Sequence, residues 1–223
     1  MKIIGLTGGI ASGKSTVSRM LLNKKIPVID GDLLARKVVE PGRPAYKLVV
    51  KKFSKDILNE NGTLNRAKLG DIIFADEKKR KILNQCTHPF IRREILKLMA
   101  WYWLIGEKMV LLDAPLLIES RLHKYMSVVI VVYCSEQLQL SRLLSREKTI
   151  TESAARQRIS AQLPLKEKIK YADFVIDNSG NISETEKQIE NVVNKIKPSL
   201  LNWLVTWLGP SIALTTFLFT IFK

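Results

Sequence analysis

The stretch Gly8-Gly9-Ile10-Ala11-Ser12-Gly13-Lys14-Ser15 decides how this sequence is read. It fits the pattern G-x4-G-K-S/T at every required position, and each residue type there has a mechanical reason. Gly8 and Gly13 let the backbone curl so that consecutive N–H groups point inward at phosphate oxygens. The helix that opens at this point adds the positive end of its dipole. Lys14 is placed to reach the β- and γ-phosphates of a nucleotide, and the Ser15 hydroxyl to ligate Mg²⁺. The flanking pattern agrees. Ile3–Thr7 is a short apolar run halted by Gly8-Gly9, which reads as a buried strand, and Val17, Met20 and Leu21 recur at helical spacing between Gly13 and Leu22.

Working outward, Ile26–Asp30 reads as a second short strand, and Met109–Asp113, Val128–Tyr133 and Phe174–Asp177 as further apolar strands. The segment from Leu33 to about Trp103 has a helical pattern, with breaks expected at Pro41-Gly42-Arg43-Pro44, Asn61-Gly62 and His88-Pro89. A helix is expected over Glu136–Arg146. Strands that are apolar on both faces and alternate with helices predict an α/β fold, a parallel sheet covered by helices on each side. Ligands in such sheets sit beyond the carboxyl ends of the strands, where Gly8–Ser15, Asp30–Asp32 and Asp113–Glu119 all fall.

The chain has 223 residues, 46% hydrophobic and 26% charged, which suits one compact folded domain, or one domain plus an appendage, rather than disorder. Its net charge of +15 favours polyanionic partners: phosphate-rich small molecules, an anionic membrane face or nucleic acid. No arginine-glycine tract and no basic-aromatic interleaving is present, so nucleic acid is not the expected partner. Cys86 and Cys134 lie far apart and read as buried free thiols of a reducing compartment. With only His88 and His123 as histidines, no zinc set can be assembled from them. Met1 and Lys2 lead straight into the first strand, so no export signal is expected.

A GTPase would need a guanine-reading Asn-Lys-x-Asp. Asn23-Lys24-Lys25-Ile26 and Asn194-Lys195-Ile196-Lys197 both lack the aspartate, and Asp113-Ala114-Pro115-Leu116 lacks a switch glycine. A small-molecule kinase needs instead a base for its acceptor and cations for the transferring phosphoryl group. Asp30 and Asp32 offer the base. Asp30 reads as the cap of the next helix, with Asp32 turned toward the cleft. Arg142 and Arg146, four apart on the expected helix, project from one face where related kinases carry a lid, and Arg156 and Arg158 follow.

Several motifs in order then resemble the dephospho-CoA kinase family over nearly all of residues 1–190. They are Thr7 through Thr16, Ile29-Asp30-Gly31-Asp32 with Ala35-Arg36, Val39-Glu40-Pro41-Gly42 and Gly62-Thr63-Leu64. His88-Pro89, Pro115-Leu116-Leu117-Ile118-Glu119, Ala161-Gln162 and Ile176-Asp177-Asn178-Ser179-Gly180 continue the series. Gly31 stands where the family usually has alanine. The resemblance implies a nucleotide core within residues 1–198, a helical substrate insertion at about 32–106 and a lid at about 136–170. It also implies ATP-dependent phosphorylation of the ribose 3′-hydroxyl of dephospho-CoA. Carried over residue by residue, Asp32 is the base, and Lys14, Arg142 and Arg146 stabilise charge. Gly8, Gly9, Ile10, Ala11, Ser12, Gly13, Lys14, Ser15 and Thr16 hold the nucleotide. Thr7, Arg36, His88, Leu116 and Gln162 join Asp32 at the acceptor, and Asp113 joins Ser15 as a Mg²⁺ candidate. A kinase for another nucleoside or nucleotide, and a non-catalytic ATP-gated membrane adaptor, are the alternatives.

The tail differs in kind. Residues 199–222 carry no charged side chain over 24 positions and include Trp203, Trp207, Phe217, Phe219 and Phe222. As a helix they would extend roughly 36 Å at about 1.5 Å per residue, against a hydrocarbon core of about 30 Å. A transmembrane anchor is therefore expected, resembling the C-terminal extension of some eukaryotic family members. Lys195 and Lys197 before it favour a catalytic body on the cytosolic side. A hydrophobic helix docked on the protein body or in a dimer interface, in a soluble cytoplasmic protein, is the alternative.

Overall fold

The computed structural model describes residues 1–208, with Phe74 and Ala75 described as backbone only. Two compact units divide it: Met1–Ile29 with the chain from Trp101 on, and Asp30–Ala100.

The first unit is built on five strands, β1 (Lys2–Gly8), β2 (Val28–Asp30), β3 (Met109–Asp113), β4 (Val128–Tyr133) and β5 (Phe174–Asp177), in the order β2-β3-β1-β4-β5. β1 pairs in parallel with β3 and β4, placing Leu6 opposite Asp113 and Gly8 opposite Val132, and β4 pairs in parallel with β5. Period-two alternation sends Ile4, Leu6, Leu111, Ile130, Val132 and Ile176 to one face. There they meet Val17 and Leu21 of α1 (Lys14–Asn23) and Ile189, Val192 and Ile196 of α9 (Ile182–Ile196), both at helical spacing. The alternate residues Val110, Leu112, Val129 and Val131 are buried as well, so the sheet is covered on both faces, as a parallel sheet requires. This unit also carries α6 (Glu136–Arg146), α7 (Glu152–Ser160) and α8 (Leu165–Ile169). Ser135 caps α6 and Thr151 caps α7 through side-chain oxygens.

The second strand begins at Val28 rather than at Ile26, with Pro27 immediately before it. Pro27 has no N–H to donate, although its carbonyl still accepts from Leu111 N–H at 2.8 Å.

The second unit is helical: α2 (Gly31–Lys37), α3 (Pro44–Phe53), α4 (Arg66–Ala75) and α5 (Glu77–Leu104), the last running on into the first unit. Val49, Phe53, Ile57, Leu64, Leu69 and Cys86 form its core. The breaks at Pro41-Gly42 and Asn61-Gly62 occur where expected, and Tyr46 donates to the Gly62 carbonyl at 2.6 Å to pin the second of them. The break expected at Pro89 does not occur. α5 continues through it, with Cys86 and Thr87 buried before the proline and Ile95 and Met99 after it. Packing on both sides outweighs the backbone hydrogen bond that the proline removes.

The expected membrane anchor is corrected, and with it the placement of the protein against a cytosolic membrane face. Among the described residues no helix is long and apolar enough to cross a membrane. Residues 200–208 are helical. Trp203 and Trp207 stack at 5.3 Å between ring centroids, and Lys108 Nζ lies 5.1 Å from the Trp203 ring. Trp103 Nε1 donates to the Thr206 carbonyl at 3.3 Å, and the Met1 ammonium to Thr206 Oγ1 at 3.4 Å. This part of the tail is thus held by protein rather than extended from it. The rest of the expected span, residues 209–222, lies outside the described residues.

Candidate nucleotide and acceptor sites

The glycine-rich loop joins the carboxyl end of β1 to the first turn of α1, where the sheet order places a ligand site. Gly13 adopts φ 88 and ψ 20, a left-handed conformation, and leads directly into α1. Ala11 is also left-handed, at φ 57. Ile10, just before these bends, is held at both its N–H and its carbonyl. Its N–H donates to Gln162 Oε1 at 2.9 Å, and its carbonyl accepts from Gln139 Nε2 at 2.7 Å. The loop also closes on itself through Ser12 N–H to the Gly9 carbonyl at 3.1 Å.

Behind the loop stands Asn178, just past β5. Its Nδ2 donates to the Ser12 carbonyl at 2.9 Å, its Oδ1 accepts from Thr185 Oγ1 at 3.1 Å, and its own carbonyl accepts from Arg142 Nη2 at 2.9 Å. Arg142 is thereby brought to the loop, with Nη1 3.9 Å from where a β-carbon on Gly13 would stand. Two buried polar atoms here, Ser12 Oγ and Arg142 Nη1, have no hydrogen-bond partner among the described residues. Buried donors of this kind are costly unless a ligand meets them, and an anionic phosphate oxygen is the matching acceptor. The residues present therefore fit a nucleotide phosphate.

Lys14 Nζ contacts Asp113 Oδ1 at the end of β3, and Asp113 is buried. Ser15 is exposed at the start of α1. No group of three or more His, Cys, Asp or Glu side chains that could hold a metal occurs among the described residues. A Mg²⁺ ion held here would thus take protein oxygens from Ser15 and Asp113 and the remainder from phosphates and water.

Arg146 is placed differently from Arg142. It is exposed and pairs with Glu147 at 3.0 Å, and Glu147 also pairs with Arg158 of α7 at 2.5 Å. Arg146 and Arg158 hold the Glu147 carboxyl below its ordinary range. Burial pushes the Cys134 thiol up, Arg142 pulls it back, and Asp177 adds to the upward push.

Thr7 Oγ1 donates to the Pro115 carbonyl at 2.9 Å, and Leu116 is exposed. A cavity of about 290 Å³ adjoins Gly9, walled by Cys134, Gln139, Ile159, Gln162 and Leu165. Gln139 carries no chemistry that sequence alone would single out. Its one signal is its position three residues before Arg142, on the same helix face. Asn178 and Glu119 belong to recognisable motifs, but their bonds to the loop and to its neighbours are visible only in the structure.

The other sequence candidates belong to the helical unit and are described there. Asp30 Oδ1 accepts from Leu33 N–H at 2.9 Å and so caps α2. Asp32 is exposed in the first turn of α2 and Arg36 in its last turn. His88 is half-buried in α5, and burial together with the nearby Arg92 charge lowers its pKa below the ordinary 6.5. Arg36 lines a pocket of about 450 Å³ with Glu40, Asn59, Thr63, Asn65 and Arg66. Two arginines among amide and hydroxyl groups suit an anionic or amide-rich guest.

A family model described as dephospho-CoA kinase matches residues 2–184. The chain is 49% identical over 197 residues to a dephospho-CoA kinase domain-containing protein of Danio rerio, covering 88% of this chain and 86% of that one. It is 50% identical over 193 residues to a dephospho-CoA kinase of Oceanobacillus iheyensis, covering 86% and 96%. The structure of a dephospho-CoA kinase from Campylobacter jejuni matches with a TM-score of 0.65 at 30% identity, covering 87% of this chain and 96% of that one. A loop built for phosphate, in a chain matched along most of its length, leads to one conclusion: this chain belongs to the dephospho-CoA kinase family.

Proposed function

We propose that this protein transfers the γ-phosphoryl group of ATP to the ribose 3′-hydroxyl of dephospho-CoA, giving CoA and ADP. The observation that carries the reading is the loop itself. Its Ile10 peptide is clamped, Asn178 braces it from behind, and Arg142 is brought beside Gly13. Gly8 through Thr16 wrap the triphosphate; the Ile10 and Ser12 N–H groups, bonded to Gln162 and to the Gly9 carbonyl, hold the curl in shape, so little reorganisation is needed when charge moves onto the transferred group. Lys14 and Arg142 neutralise that charge. Arg146 joins them by exchanging Glu147 for phosphate, a stronger partner for a guanidinium. Ser15, with Asp113 as a further oxygen, would hold Mg²⁺, which would supply neutralisation of phosphate charge.

Asp32 accepts the proton of the attacking hydroxyl. Asp30 has a structural role in this reading, its carboxylate capping α2. Arg36 and His88 hold the acceptor, and the pocket that Arg36 shares with Arg66 suits its diphosphate and amide-bearing arm. Thr7, Leu116 and Gln162 complete the acceptor side, Gln162 acting through the Ile10 peptide. In this reading the helical insertion at about 32–106 is the acceptor domain, and residues at about 136–170 form the lid.

The test is direct. The full-length protein is incubated with ATP, Mg²⁺ and dephospho-CoA, and CoA formation is followed alongside a panel of nucleosides and nucleotides. The expected result is CoA formation with a specificity ratio favouring dephospho-CoA. A folded, ATP-binding sample that makes no CoA removes the proposal.

A further inference from the structure

Lys168 has no part in the chemistry above, yet among the described residues it is the bulkiest fully buried side chain, at 0% exposure. It stands on α8, and its ammonium reaches three oxygens: the Gly8 carbonyl at 3.2 Å, the Pro115 carbonyl at 2.9 Å and Glu119 Oε1 at 2.9 Å. Three N–H donors meet three acceptors, so the group is fully satisfied. A methionine could fill the same space without the desolvation that a buried ammonium suffers. The charge therefore needs a reason, and its partners supply one.

Those partners belong to separate pieces of the candidate site. Gly8 is the first glycine of the phosphate loop. Pro115 follows Asp113 by two residues, and its carbonyl is shared with Thr7 Oγ1. Glu119 closes that segment, and its Oε1 also accepts from Leu163 N–H at 3.2 Å. Leu163 adjoins Gln162, which holds the Ile10 N–H. One ammonium therefore ties the start of the loop to the Asp113–Glu119 segment and to the chain returning from α7. The carbonyls of Gly8 and Pro115 cannot serve each other, since both are acceptors, and a buried donor between them resolves this.

We infer that Lys168 is a positioning residue for phosphoryl transfer. It holds the phosphate loop at a fixed separation from the segment that carries Asp113, so that Lys14 and Arg142 address one phosphate group. The inference rests on the nucleotide reading above but not on the identity of the acceptor. Displacements of about 1 Å in such sites cost on the order of a hundredfold in rate.

Full-length Lys168→Met, Lys168→Arg and Glu119→Gln are compared with the parent by melting temperature, titration with a fluorescent ADP analogue, and kcat and KM for CoA formation. In Lys168→Met, nucleotide affinity is expected to fall about tenfold and kcat about tenfold to a hundredfold, while KM for dephospho-CoA stays within about threefold. Lys168→Arg recovers both to within about threefold of the parent. Glu119→Gln, which keeps both carbonyl bonds, loses about threefold in nucleotide affinity. Parental affinity and kcat in Lys168→Met overturn the inference, as does an arginine variant no better than the methionine one. Losses that merely track the unfolded fraction overturn it too. If Lys168→Met does not fold, Glu119→Gln decides, and parental nucleotide affinity in that variant overturns the inference. A parent that binds the ADP analogue but forms no CoA removes only the acceptor reading, because the titration still reports on Lys168.

Discussion

A β-carbon on Gly13 would stand 1.9 Å from Nδ2 of Asn178, so the last glycine of the phosphate loop and the residue behind β5 are packed as one piece. The contact leaves no room for a side chain, and the φ of 88 at Gly13 disfavours one as well. The asparagine in turn holds the Ser12 carbonyl and receives the Arg142 guanidinium. The geometry of the loop, which follows the central strand, is therefore set partly from the edge strand β5.

Gly13→Ala is expected to lower ATP affinity by tenfold or more and to cost about 1–3 kcal/mol of stability, the usual scale for a strained backbone conformation. Asn178→Ala is expected to cost a similar amount by leaving the buried Ser12 carbonyl without its donor. Isothermal titration with ATP and chemical denaturation of both variants check this. Unchanged affinity in Gly13→Ala would show that the Asn178 contact is not needed for binding.

Asp32→Asn is expected to reduce kcat for CoA formation about a hundredfold or more with ATP affinity retained, the pattern for a lost general base. Asp30→Asn should cost far less, since an asparagine caps a helix nearly as well as an aspartate. Steady-state kinetics on the two variants separate the roles, and a larger loss at position 30 would reverse them.

The lowered pKa of His88 makes the stability of the fold depend on pH. The folded state binds its proton less readily than the unfolded chain, where the ordinary value is 6.5. Folding thus gains from neutral His88. That gain is complete above about pH 6.5 and is lost as pH falls through the window between 6.5 and the lower folded value. Melting temperature should drop across this window in the parent and drop less in His88→Asn. Parallel profiles for the two proteins would remove the effect.

Trp203→Ala is expected to cost about 1–2 kcal/mol, combining a lost ring stack with a lost cation–π contact to Lys108. kcat should remain within about twofold, because this cluster makes no contact with the phosphate loop. Thermal melting with parallel kinetics is the check. A melting curve identical to the parent's would mean that residues 200–208 do not contribute to the stability of the body.

Much of this was legible in the order of residues because it depends on short-range rules. The loop from Gly8 to Ser15, the helix over Glu136–Arg146 and the strands ending at Asp113, Tyr133 and Asp177 follow from glycine placement, caps and local periodicity. The cap at Asp30 is equally local, one carboxylate meeting an N–H three residues on. Pro89 misled for the complementary reason. A proline signals a break from local geometry alone, and here buried side chains on either side carry the helix through it.

The tail and the bracing of the loop belong to the tertiary structure. An uncharged stretch has the same composition whether it meets lipid or protein, and only the stacking of Trp203 on Trp207 beside Lys108 shows what its first turns pack against. Gln139, Lys168 and Asn178 reach the loop across separations of 129, 160 and 166 residues. Sequence by itself determined that a phosphate loop forms, since the placement of its glycines and the Ser12-to-Gly9 bond act between near neighbours. Which buried groups hold the curl in place was decided only by folding, because a hydrogen bond is a matter of distance in space and leaves no mark on the spacing of residues along the chain.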